Sequence, residues 1–218
     1  MSLETPVKIT KLVSRESVVM VTVTGFNKPL PVSPLVAYEL RLVEGIVLTT
    51  SQIERLKGES ERFTCEQTAI RMLALRDHSI GELKAKLLRK GIGTESVTAA
   101  IKSLRERGYL DDQKYALSYA ERLVRERPCG QAYLIGHLMK KQINRRIAED
   151  TATMVLQSTS EMTLAIESLR RRWRLFSQFE LEVAQRKAYT YLSGRGFGYA
   201  AAKAAFEHLN RKKDEDSD

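Results

Sequence analysis

The chain has 218 residues, 43% of them hydrophobic, and a formal net charge of +9. That length buries roughly 70% of the unfolded surface in one large or two modest domains, so no disulfide or metal staple is needed. Cys65 and Cys129 stand far apart in no metal or redox spacing, which excludes a disulfide framework and points to ordinary buried thiols in a reducing compartment. No run of about 18 apolar residues occurs, and the N-terminal MSLETPVKIT lacks a signal-peptide core, so a soluble cytoplasmic protein without membrane contact is expected.

The charge is localised. Residues 1–60 carry 7 basic and 6 acidic side chains, residues 61–210 carry 26 and 17, and residues 211–218 carry 3 and 4. The middle block therefore holds the excess. Such a block favours a polyanionic partner, nucleic acid above all, although a basic ribosome-like or membrane-surface role leaves the same footprint.

In chain order, residues 7–25 alternate apolar and polar and are rich in Val, Ile and Thr around a Ser-Arg-Glu-Ser break, which predicts a β-hairpin. A short helix follows, with Ser33 as cap, Pro34 at its first position and Gly45 as its stop. Ser51 and Glu54 form a capping-box pattern that opens another helix. A two-stranded ribbon is marginal alone and must pack on these helices.

From residue 61 the period becomes that of amphipathic helices. KLLRKGI at 86–92, HLMKKQI at 137–143 and YLSGRGF at 191–197 repeat one pattern of apolar residue, cations, break and large apolar residue. A shift of 51 lays Leu87, Lys90, Ile92 and Leu104 over Leu138, Lys141, Ile143 and Val155; a shift of 105 lays them over Leu192, Arg195, Phe197 and Leu209. Each copy reads as a helix end, a turn and the next helix start. Gly91 and Gly196 suit a left-handed C-terminal cap, and cations in the last turn complement the helix dipole.

Three three-helix units follow. The first has helices near 61–76, 79–90 and 94–107, with Ser79 and Glu82 as a capping box and Thr94 as a cap. The second has 112–127, 130–141 and 144–157, opened by Asp111 and Asp112. The third has 160–175, 178–193 and 197–209. The expected fold is mainly α: a β-hairpin and helix segment over 1–60, three-helix repeats over 61–108, 109–158 and 159–210, and a charged flexible tail over 211–218. Repeats that cover one another's apolar flanks stack into an elongated, curved array, here a monomer.

No catalytic signature is present: no GxSxG, no P-loop and no dinucleotide-binding glycine motif behind a strand. Asp111 and Asp112 are adjacent and lack a His or Glu at ligand spacing, so helix capping explains them. His78, His137 and His208 show no i, i+4 pairing for a metal. No enzyme activity, cofactor or metal is expected. In RRRWR at 170–174, a helix would place Met162, Ala165, Leu169, Trp173 and Phe176 on one core face, with Arg170, Arg171 and Arg174 projecting away. The candidate contacts to a polyanion are Arg89, Lys90, Lys140, Lys141, Arg145, Arg146, Arg170, Arg171, Arg174 and Arg195.

Three segments, RDHSIGEL from Arg76, GYLDDQKYA from Gly108 and YLSGRGF before an alanine-rich helix, together with the hairpin head, resemble the RecX family of bacterial recombination regulators. The resemblance covers most of the chain. It implies a non-catalytic modulator, usually an inhibitor, of the RecA recombinase, acting in homologous recombination, DNA repair and the SOS response. Its repeats would lie along the groove of the RecA–DNA filament, touching RecA and single- or double-stranded DNA, and hinder strand exchange, ATP hydrolysis and coprotease activity. This chain departs at Gln142, where a glycine is expected, and at Pro128-Cys129, in a segment often glycine-rich. The alternative is a sequence-tolerant DNA-binding helical protein or a helix-turn-helix-like transcription regulator, against which AAAKAAFEHL is a poor recognition helix.

Overall fold

The computed structural model describes residues 7–215, with side chains to residue 211. The described residues are mainly helical, with one small sheet near the N-terminus. The chain divides into two compact units, Met1–His78 with Glu82–Leu110, and Ser79–Gly81 with Asp111–Asp218.

In the first unit, β1 (Ile9–Arg15) and β2 (Val18–Val23) form the expected antiparallel hairpin, and β3 (Leu30–Val32) adds to β2 to give the order β1-β2-β3. The third strand was hidden by Pro29 and Pro31, which are tolerated because β3 is short and lies at the sheet edge. Val19, Val21 and Val23 point inward at the period of two that a half-buried strand requires, and meet Ile9, Val32 and Leu56.

Helix α1 (Pro34–Glu39) begins where expected, with the Ser33 hydroxyl accepting from the Val36 N–H. It does not run to Gly45. It stops after Glu39; Arg41 takes a φ of 49°, and Gly45, at 90°, returns the chain alongside β1, donating its N–H to the Ile9 carbonyl.

The next two expected helices are one: α2 spans Thr50–Leu75 without a break at residue 61. It opens two residues before the Ser51–Glu54 pattern, on a capping box of Thr49 and Gln52. Leu48 and Ile53 decide between the two registers, because both join the sheet core on either side of this cap as a hydrophobic staple. Leu56 faces the sheet core, while Cys65 and Ala69 are buried further along the helix, which packs on α4 (Thr94–Glu106), the helix after α3 (Ile80–Arg89). One helix thus serves two cores.

The second unit holds α5 (Asp112–Glu126), α6 (Gln131–Lys140) and α7 (Arg145–Leu156), then α8 (Glu161–Arg170), α9 (Trp173–Phe176), α10 (Leu181–Gly194) and α11 (Tyr199–Glu215). Each triplet packs its first helix on its third: α2 on α4, α5 on α7, α8 on α11. Leu87, Leu138 and Leu192 occupy the same place in each and are fully buried, about 2 kcal/mol of transfer free energy apiece. Val124 and Leu156 pack against both cores of the second unit and join its two triplets.

The expected single helix over 160–175 is broken. α8 ends at Arg170, and Trp173 starts a separate turn that brings its ring edge-on to Phe206 at 5.6 Å. Met162 consequently lies outside the core, 44% exposed; the buried face is Leu164, Ala165, Ser168 and Leu169. At the other end α11 continues to Glu215, where a flexible tail from 211 was expected, because Arg, Lys, Asp and Glu extend a helix already nucleated on its alanine face. Residues 1–6 and 216–218, the ends of the sequence reading, lie outside the described residues.

Candidate nucleic-acid interface

The repeated motif builds one recurring turn. Gly91 and Gly196 have φ of 80° and 77°, and Gln142 adopts 58° in the same position. The Ile143 N–H returns to the Leu138 carbonyl at 3.2 Å and the Phe197 N–H to that of Leu192 at 3.1 Å, a six-to-one closure of the helix end. The missing glycine therefore does not change the turn.

The turns are also docking points. Within the second unit the Gly130 N–H donates to the Arg195 carbonyl at 2.9 Å, and a Cβ on Gly130 would lie 2.0 Å from the Gly196 carbonyl oxygen. Residues 79–81 are held in that unit in the same manner. The Ser79 hydroxyl donates to the Lys141 carbonyl, and a Cβ on Gly81 would meet that of Gln142 at 2.5 Å.

Caps are shared across helices too. Asp111 caps its own α5, accepting from the Gln113 and Lys114 N–H groups, whereas the Asp112 carboxylate accepts from the Ile80 N–H at 2.8 Å. Glu61, and not Thr94, serves the start of α4 by accepting from the Gly93 N–H and the Ser96 hydroxyl. Glu161 does the same for Gly198 at the start of α11, and Asn144 caps α7 by itself. Glu82 pairs with Arg76 at 3.6 Å.

On this frame the ten candidate cations separate. Arg89 and Lys90 are exposed at the end of α3 in the first unit. Arg145 and Arg146 each lie beside a carboxylate one turn on, Glu149 at 2.9 Å and Asp150 at 3.9 Å. Arg170 and Arg174 are exposed, but the helix break removes them from a common face. Arg171 does not project away: its guanidinium donates to the carbonyls of Arg125 and Glu126 at the end of α5 and pairs with Glu167. It is a clasp.

Lys140, Lys141 and Arg195 do come together, around a group of side chains that the charge count missed. Tyr133, His137, Lys140 and Lys141 share one face of α6 at spacings of four, seven and eight. His137 stacks on Tyr133 at 4.3 Å, and its Nδ1 makes a long hydrogen bond of 3.4 Å with the Tyr119 hydroxyl of α5. Arg195 lies between Tyr133 and Tyr191, 5.6 and 5.4 Å from their ring centres. Lys141 and Arg122 cover Tyr119 at 5.6 and 5.7 Å, and Arg172 covers Tyr191 at 5.3 Å. All five cation–ring distances are within cation–π reach. The tyrosine and histidine spacing on α5 and α6 was the available signal; Arg195 and Tyr191 join it only through the fold.

The electrostatics of the cluster are one-sided. Burial holds the His137 imidazole below its ordinary range, helped by the charges of Lys140, Arg127, Arg195 and Lys141. Burial also pushes the Cys65 and Cys129 thiols up to about 11. Among the described residues no three His, Cys, Asp or Glu side chains are placed to hold a metal ion, and no helix is long and apolar enough to cross a membrane.

Fold and turn chemistry define a protein of three-helix groups headed by a small sheet. A family model described as RecX, first three-helix domain, matches residues 65–104. A regulatory protein RecX from Treponema pallidum is 31% identical over 113 residues, 50% of this chain and 69% of the relative. Another from Pelodictyon phaeoclathratiforme is 28% identical over 141 residues, 65% of this chain and 86% of the relative. A crystal structure of regulatory protein RecX, 21% identical, has the same fold with a TM-score of 0.72 over 90% of this chain and 97% of that one. The chain belongs to the RecX family of regulatory proteins.

Proposed function

We propose that this chain regulates the RecA recombinase by binding along the RecA–DNA filament, as an inhibitor of strand exchange, ATP hydrolysis and coprotease activity without catalysis of its own. The observation that carries the reading is membership of a family of regulatory proteins in a chain whose excess positive charge is confined to its helical repeats. The cluster of Lys140, Lys141 and Arg195 beside tyrosine faces supplies the chemistry that a phosphate backbone selects, cations set among aromatic rings. The apolar and neutral-charge head suits contact with protein. A cytoplasmic monomer fits the same role. Added at stoichiometric excess, the chain is expected to lower DNA-dependent ATP hydrolysis and strand exchange by RecA; unchanged rates for both would remove this reading.

A further inference from the structure

His137 is a site in its own right. Its Nδ1 is engaged by the Tyr119 hydroxyl, and its Nε2 has no protein partner among the described residues. No polar side-chain atom among them is buried without a partner, so Nε2 opens to solvent. A tyrosine hydroxyl can donate to Nδ1, and in that tautomer the neutral ring carries its proton on Nε2 and presents a donor outward. Around it, among the described residues, stand Tyr119, with Arg122 above it, from α5; Arg127 just beyond α5; Tyr133 and Lys140 from α6, with Lys141 just past its end; and Arg195 from the turn before α11. Four cations act on the ring.

We propose that His137 makes this face a proton-linked site for a phosphodiester strand: Arg127, Lys140 and Arg195 hold backbone phosphates, and binding draws a proton onto the imidazole. The inference rests on reading this face as the nucleic-acid side of the protein. In the free protein the four cations oppose a fifth positive charge. A phosphate seated among them offsets that field and accepts a charge-assisted hydrogen bond from Nε2–H, so the bound ring prefers the cation. A ring that gains its proton on binding makes affinity rise as pH falls through the imidazole range, about 7 to 5, by about three- to tenfold. The phosphodiester itself does not titrate there.

The test uses the full chain and an oligothymidylate of about 20 nucleotides, whose bases are silent in this range. Calorimetry at pH 6 in two buffers of different ionisation enthalpy is expected to show fractional proton uptake for the natural chain and none for H137Q. The chain has three histidines, so an NMR titration of the natural protein with and without oligonucleotide follows His137 directly and needs no variant. Its midpoint is expected to rise on binding. No proton uptake, equal uptake by H137Q, an unmoved midpoint, or no binding between pH 5.5 and 7.5 would each overturn the proposal. Polyglutamate binding as tightly as the oligonucleotide would assign the site to an acidic protein surface and overturn it as well. RecA takes no part in these measurements, so proton-linked DNA binding without any effect on RecA would defeat the proposed function alone.

Discussion

Gln142 occupies a backbone conformation that two other copies of the same turn give to glycine. A side chain in the left-handed region costs about 1 kcal/mol, and the rest of the turn over-determines it here. Gln142→Gly is therefore expected to raise stability by about 0.5–1 kcal/mol in denaturant unfolding. The reverse changes differ with their surroundings. Gly91→Ala meets open space and should lose about 1 kcal/mol from strain alone, whereas Gly196→Ala also drives a Cβ to 2.6 Å from the Tyr133 nitrogen and should lose at least about twice that. Equal losses for both would contradict the docking role of the third turn.

The buried titratable groups follow the same logic. Burial, above all, lowers His78, whose Nδ1 bonds the Arg76 carbonyl and whose Nε2 faces the Lys86 ammonium at 2.7 Å. With His78 and His137 both depressed in the folded state, the unfolded chain binds more protons. Stability is then full above the unfolded value of about 6.5 and is lost as pH falls below it through the folded values. Melting temperature measured from pH 7.5 to 5.5 should decline, with a smaller decline in H137Q. Thiols held near 11 are only about one part in a thousand ionised at pH 8, so neither cysteine should react with iodoacetamide until the chain unfolds.

At the scale of elements, the helices of the second triplet were legible to within a residue because caps and apolar period agree there. The failures share one cause: a local signal was overruled by a packing demand further away. Two good capping boxes overlap at residues 49–54, and Leu48 against the sheet chose between them. The period through RRRWR is helical, but ending α8 at Arg170 frees Arg171 to cap the carbonyl end of α5 and lets Trp173 reach Phe206. Arg171→Ala should cost about 1 kcal/mol and speed amide exchange in the last turn of α5, while Arg170→Ala and Arg174→Ala leave melting unchanged. Identical effects for all three would return Arg171 to the surface.

At the scale of the whole chain, charge confined to residues 61–210 announced a basic repeat region, yet it did not say which cations would gather. Half of the candidate site was written in and just after α6 as Tyr133, His137, Lys140 and Lys141; the other half arrives from α5 and from the turn holding Arg195, a separation no local pattern encodes. The repeated turn explains both findings. In its second and third copies it caps a helix, docks the start of another, and sets a cation over an aromatic ring at its rim. The most direct test is co-sedimentation of the chain with preassembled RecA–DNA filaments, comparing the natural protein with R127A/K140A at rising salt. Saturable co-sedimentation that salt and the double change both weaken is expected; a chain that stays in the supernatant at low salt, with RecA filaments intact, would contradict the account.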